Sequence, residues 1–163
     1  MRIKNVCFPS YARLPVALCL FVLLAGVSAR TDASPSAGTT LQVGAVVLNI
    51  TAVTIDTTGQ PFLRPPREMA FLIIDMVAEN TGGEDVALSS FLSFKLFTSA
   101  GQERELATMY RTNGTMDATL RPGGRVVGQL AYIVPAGDRT FQLETRIGSV
   151  FNPTVDRVPL TVD

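Results

Sequence analysis

Histidine is absent from the 163 residues, tryptophan is absent, and the two cysteines, Cys7 and Cys19, both lie at the amino-terminal end. Each absence removes a class of chemistry. Without imidazole the commonest general base is missing, so a serine or threonine nucleophile has no ordinary activator. Without histidine or cysteine, zinc and copper lose their usual ligands. No tryptophan is available to line a sugar cleft. Lysine is nearly missing too: beyond Lys4 the chain holds only Lys95.

The first thirty residues differ in composition from the rest. Arg2, Lys4 and Arg13 give a basic start, Leu14 to Val27 is a fourteen-residue apolar run, and Val27-Ser28-Ala29 has the small residues of a cleavage site. This is the pattern of a secretory signal peptide, 1–29. The alternative is an uncleaved anchor that holds the protein at the membrane, but fourteen residues fall short of the ~20 that a spanning helix needs. Leu24-Ala25-Gly26 would suit a lipoprotein signal, yet Val27 stands where the acylated cysteine belongs, and bulky Leu18 precedes Cys19. Release after Ala29 is therefore expected, into the periplasm or the medium. Both cysteines leave with the signal, and the exported chain is expected to fold without disulfides.

Charge narrows the partners. The full chain balances 14 basic against 14 acidic residues, and removal of Arg2, Lys4 and Arg13 leaves 11 against 14, a net of −3. Nucleic acid and anionic membranes call for a concentrated basic surface, so neither is expected as a partner.

What remains reads as strands. After a small, polar linker over 30–40, Leu41 to Asp56 alternates apolar residues as one long or two short strands around Gly44. Thr57 to Glu68 carries Pro61, Pro65 and Pro66 and reads as an exposed connection. Met69 to Asn80 is the strongest strand. Its even positions Leu72, Ile74, Met76 and Ala78 form a core face, and the odd ones mix Phe71, Ile73 and Val77 with Asp75 and Glu79. Val86 to Ser90 reads as a short edge segment, and Phe91 to Phe97 follows with Leu92, Phe94 and Leu96 inward; an ill-defined stretch from Gln102 to Gly114 leads to a short strand over Thr115 to Leu120. Arg125 to Val134 has Val126, Leu130, Tyr132 and Val134 inward. Strands from Phe141 and from Val155 to Val162 close the chain. Seven to eight short strands with frequent turns and no amphipathic helix predict one all-β domain over 41–163, an immunoglobulin-like antiparallel β-sandwich. A jelly roll or small barrel is the second choice.

The succession Phe71-Leu-Ile-Ile-Asp-Met-Val-Ala-Glu-Asn80-Thr-Gly, the Phe-rich strand ending at Ser99-Ala-Gly101, Leu120-Arg-Pro-Gly-Gly-Arg-Val-Val-Gly128 and Tyr132-Ile-Val-Pro135 resembles a widespread exported bacterial domain family of unknown function. That family shares its fold with the immunoprotective extracellular antigen. The resemblance spans Leu41 to about Arg146 and implies an immunoglobulin-like sandwich on a secreted or lipid-anchored protein, with no catalytic residues to carry over. The missing acylated cysteine sets this chain apart from the lipid-anchored members. The motif residues have structural readings of their own. Asn80 is expected to take a left-handed conformation with Gly82 or Gly83 completing the turn, Pro122-Gly123 to centre a type II turn, and Gly128 to let the facing sheet approach.

Candidate sites are few. Ser93 and Lys95 could in principle form a catalytic pair, and Glu103 with Glu105, or Glu84 with Asp85, a carboxylate pair. All read better as solvated surface, so no catalysis and no cofactor are expected. Asp75, Glu79, Glu84 and Asp85 could offer oxygens to calcium, but lack calcium-loop spacing. Asn49 and Asn113 open glycosylation-type triplets and read as strand and turn residues. An exported binding module with a protein partner is the preferred function. A structural envelope domain, or a non-catalytic calcium- or saccharide-binding domain, is the alternative. Two surfaces could carry binding. One is the Pro-rich loop with Phe62, Leu63, Arg64 and Arg67, since aromatic and arginine side chains dominate interface energetics. The other is the face of Phe91 and Phe97 beside Lys95, expected to be covered by Gln102 to Gly114 unless it is an open interface.

Overall fold

The computed structural model describes residues 38–149 and 151–162. The stretch read as a signal peptide, 1–29, and most of the stretch read as a linker, 30–40, lie outside the described residues. Ten strands and no helix are formed among the described residues: β1 (Thr39–Val43), β2 (Val46–Asp56), β3 (Met69–Asn80), β4 (Val86–Leu88), β5 (Phe94–Thr98), β6 (Glu103–Arg104), β7 (Ala118–Leu120), β8 (Arg125–Pro135), β9 (Thr140–Ser149) and β10 (Asn152–Thr161). Two antiparallel four-stranded sheets, ordered β1-β2-β3-β8 and β10-β9-β5-β6, pack face to face, and a ribbon of β4 and β7 joins them at one side. This is the immunoglobulin-like sandwich. The count exceeds seven or eight because Leu41 to Asp56 divides into two strands and β6 is only two residues long, too short to show an alternation in sequence.

The period-2 pattern sets the core. Leu72, Ile74, Met76 and Ala78 of β3 are fully buried between Leu48 and Ile50 of β2 and Leu130, Tyr132 and Val134 of β8, and they face Leu96, Phe141, Leu143 and Leu160 of the second sheet. Each such side chain contributes roughly 1.5–3 kcal/mol by leaving water. The other side of β3 has its own smaller cluster, in which Phe71 and Ala131 are covered by Leu63, Ala107 and Tyr110.

Several local expectations are corrected. β1 opens at Thr39, inside the stretch read as linker; of the two readings of Leu41 to Asp56, the two-strand one holds, with Gly44 at φ 58° in the turn between them. The Phe-rich strand begins at Phe94, not Phe91. Ser93 donates its amide to Ser89 O at 2.8 Å, the Ser93 hydroxyl accepts the Ser89 amide, and the Ser90 amide goes to Asp117. Short polar side chains have captured the backbone there. Leu92, expected in the core, is consequently 61% exposed.

Asn80 is not left-handed. It is a fully buried β3 residue whose Nδ2 donates to Glu84 O at 2.7 Å and Leu120 O at 2.9 Å, while its Oδ1 accepts the Gly82 amide at 2.9 Å. The Pro122-Gly123 turn is as expected, with Gly123 at φ 73° and the Gly124 amide bonded to Arg121 O. Gly128 does permit a close approach, but of the Thr115–Met116 backbone rather than the facing sheet.

β10 is an outer strand. The bond from Val162 N to Arg139 O fixes its phase, so alternate residues, Pro153 and Pro159 among them, direct their backbone away from β9.

Candidate functional site

The Pro-rich connection is held at both ends and displays its middle. At the end of β2, Asp56 Oδ1 accepts the Thr58 and Gly59 amides at 2.9 Å and the Thr58 hydroxyl at 2.7 Å, and Oδ2 accepts the Tyr110 hydroxyl at 3.1 Å. Burial would raise the Asp56 carboxyl, but these bonds from Thr58, Gly59 and Tyr110 outweigh it and hold it below its ordinary 3.8. Burial and the bond to Asp56 push the Tyr110 phenol upward, so it stays a donor. The Tyr110 ring stacks at a tilt on Phe71, with centroids 4.9 Å apart.

Gln60 and Leu63 exchange backbone hydrogen bonds at 2.8 and 2.9 Å, closing a two-residue turn over Pro61 and Phe62. Proline presets the first turn residue, and in a type II turn the second takes a positive φ. That residue is Phe62, at φ 69°, where glycine or asparagine would be ordinary. Its side chain is fully exposed. The Gln60 side chain secures the turn to a second loop: Nε2 donates to Arg111 O, and Oε1 accepts the Arg111 amide, both at 2.8 Å.

Of the four loop residues singled out in the sequence, Phe62, Arg64 and Arg67 are exposed. Leu63 instead packs against the Phe71 cluster and anchors the loop. The Gln60–Arg111 clamp and the Tyr110 anchor were not legible in the sequence, because their partners are 51 and 54 residues apart.

The two phenylalanines of the second proposed surface differ in exposure. Phe91 is 71% exposed in the turn before β5. Phe97 lies half-buried on the outer face of β5 with the Arg157 guanidinium 5.2 Å above its ring. Gln102 to Gly114 leaves Phe91 exposed; its Glu103 pairs with Phe97 in the sheet, and its Ala107 and Tyr110 sit over Phe71.

On the second sheet Glu144 is buried, with 1% of its side chain exposed, between Arg146 Nε and Arg157 Nε, each 2.7 Å away. Burial alone would raise this carboxyl, but the hydrogen bonds and charges of Arg146 and Arg157 outweigh it and hold it below 4.5. A carboxyl held down in the folded chain gives stability that is complete above its unfolded value and is lost as pH falls. Asp56 and Asp117 act in the same direction, the latter held below 3.8 chiefly by the Thr115 hydroxyl and the Ser90 amide. Thermal melts should therefore show a flat midpoint from about pH 7 to 5 and a drop toward about pH 3. Glu144→Gln should lower the neutral midpoint and shrink that drop. An acid limb unchanged in the variant would count against the assignment.

The remaining candidates are separated. Lys95 Nζ is paired with Glu103 Oε1 at 2.8 Å, and the Ser93 hydroxyl is engaged with the Ser89 amide. Asp75 accepts a bond from Gln129 at 2.6 Å. Among the described residues no three carboxylates come together as a metal site, so Asp75, Glu79, Glu84 and Asp85 do not form the calcium constellation considered from sequence.

No curated protein matches the chain. Solved structures share its fold. The putative lipoprotein YcdA of Bacillus subtilis is 13% identical with a TM-score of 0.60 over 78% of this chain, which spans only 39% of that one. YjhA of Bacillus subtilis is 18% identical with a TM-score of 0.58, covering 78% of this chain and 98% of its own. The secreted protein MPT63 of Mycobacterium tuberculosis is 15% identical with a TM-score of 0.53, covering 79% and 96%. At these identities the likeness is one of fold. Residues 35–154 match the family described as "Domain of unknown function (DUF4352)", and the chain belongs to that family.

Proposed function

We propose that the protein is an exported, non-catalytic module that binds a protein partner through the Phe62 loop. The observation that carries this reading is the placement of Phe62. A phenylalanine in a left-handed conformation costs on the order of 1–2 kcal/mol, and here the side chain recovers none of it by burial, being fully exposed. The turn is braced by the Gln60–Arg111 bonds and flanked by the exposed Arg64 and Arg67. A rigid aromatic beside arginines is the composition of an interface hot spot, with little ordering entropy left to lose on binding. Export is supported by the sequence pattern over 1–29 and by the secreted neighbour of similar fold. The absence of catalysis is supported by the chemistry of the side chains: the hydroxyl and amine of Ser93 and Lys95 are each committed to other groups.

The test is crosslinking capture from the native envelope and medium, followed by affinity measurement. Phe62→Gly is expected to weaken a captured partner about 30-fold, the ~2 kcal/mol of a hot-spot aromatic. Its thermal midpoint should equal or exceed that of the parent, since glycine accepts the turn conformation. Phe97→Ser should bind like the parent. Equal capture by the parent and Phe62→Gly would remove the loop from the interface.

A further inference from the structure

A groove of about 900 Å³ lies beside the β5–β6 edge, within the range of small-molecule sites. Leu88, Phe94, Leu106 and Tyr132 line it inside, and the exposed Phe91 and Leu92 stand at its mouth. Tyr132 is only 1% exposed, and its hydroxyl is buried with no hydrogen-bond partner. A phenol O–H left unpaired in an apolar setting is costly and calls for a reason. Burial, helped by the Glu103 carboxylate, pushes that phenol far above its ordinary 10, so the hydroxyl stays protonated and is a donor at any physiological pH.

Two of the three cations that line the groove are paired with carboxylates. Lys95 is paired with Glu103, Arg104 Nε donates to Ile133 O at 3.0 Å, and Arg146 is held by Glu144. Lys95 and Arg146 are thus neutralised by carboxylates, and the Glu103 charge near Tyr132 disfavours an anionic head beside that hydroxyl. The two exposed side chains at the mouth are large and apolar, and a ligand that covers them removes that surface from water.

We propose that this groove binds a neutral amphiphile, an acyl chain ending in an uncharged amide or ester carbonyl, with the carbonyl accepting the Tyr132 hydroxyl and the chain lying against Phe91, Leu92 and Leu106. This site is separate from the Phe62 loop.

The experiment is a titration of the full chain with N-methyldecanamide, followed by amide chemical shifts in NMR, with sodium decanoate as the anionic counterpart. Saturable shifts are expected at residues 88–94 and 103–106. Tyr132→Phe is expected to weaken binding about tenfold, the worth of one hydrogen bond, and Leu92→Ser to weaken it as well. Decanoate should bind at least tenfold more weakly than the amide. Phe62→Gly should bind the amide like the parent, which keeps this test independent of the partner interface. Tyr132→Phe keeps the ring and gives up no hydrogen bond, so its thermal midpoint should not fall. Should it nevertheless unfold, Leu92→Ser, at an exposed position, decides the matter. Absence of saturation, shifts located elsewhere, equal affinity of decanoate, or amide affinity unchanged in the folded variants would each overturn the proposal.

Discussion

Gly128→Val is expected to destabilise the domain by about 4 kcal/mol, enough to lower its thermal midpoint by roughly 15 °C. A Cβ at Gly128 would stand 2.6 Å from both the carbonyl carbon and the oxygen of Thr115, and 3.1 Å from Met116 N. All three are backbone atoms, so no side chain can rotate aside. The crossing is narrow from the other direction as well: a Cβ on Gly114, itself at φ 90°, would meet Val127 O at 2.9 Å. To make room, the Thr115–Met116 segment must lift. That withdraws Met116, which is fully buried in the main core, and strains the bonds that fix the segment. Those run from Asn113 N to Gln129 Oε1 at 2.7 Å and from the Ser90 amide to Asp117 at 2.7 Å. Gly137→Ala is the control, because a Cβ there has nothing within 4 Å and the backbone is not left-handed. It should stay within about 0.5 kcal/mol of the parent. Denaturant unfolding of both variants decides the point. A Gly128→Val domain within about 1 kcal/mol of the parent would mean that the two backbones do not cross this closely.

Asn80→Ala is the second large effect, about 3 kcal/mol. The side chain ties three backbone groups: the carbonyls of Glu84 and Leu120 and the amide of Gly82. The residue's own backbone joins the turn after β7, accepting the Gly123 amide at 2.8 Å and donating to Gly124 O at 2.9 Å. Truncation leaves the bond to Leu120 O, a buried one, without its donor, and frees the chain that leads from β3 to β4. Asn80→Asp tests the cause. It keeps the volume and the acceptor for Gly82 but presents a carboxylate to two carbonyl oxygens, so at pH 7 it should cost at least as much as alanine. A mild Asp variant would show that packing, not donation, is what matters at this position.

These two residues also mark where sequence reading succeeds and where it stops. Both stand out in the sequence, because glycine inside a strand and asparagine at the end of one signal special geometry. Neither partner could be named, since Gly128 meets Thr115 and Asn80 reaches Leu120 across intervals that depend on the whole topology. The inward faces of β3 and β8 were legible for the opposite reason. Alternation is a local property, and burial of one face enforces it along the entire strand. Leu92 shows local polar chemistry overriding that pattern, because Ser89, Ser93 and Asp117 hold the backbone in a turn just where alternation predicted a strand. At the candidate site, composition was enough to single out Phe62, Arg64 and Arg67. Only the three-dimensional arrangement separates Leu63 as the anchor from Phe62 as the displayed residue. Glu144 was not anticipated at all: a charged residue on an alternating strand reads as surface, and its burial depends on Arg157 arriving from β10, thirteen residues later.

The phase of β10 bears on how molecules of this protein meet. A strand laid alongside that edge would look for a regular series of amide donors and find rungs missing at Pro153 and Pro159, where proline carries no N–H. Such a ladder cannot be climbed by a neighbouring chain. Concentrating the protein should therefore not fuse its sheets edge to edge along β10.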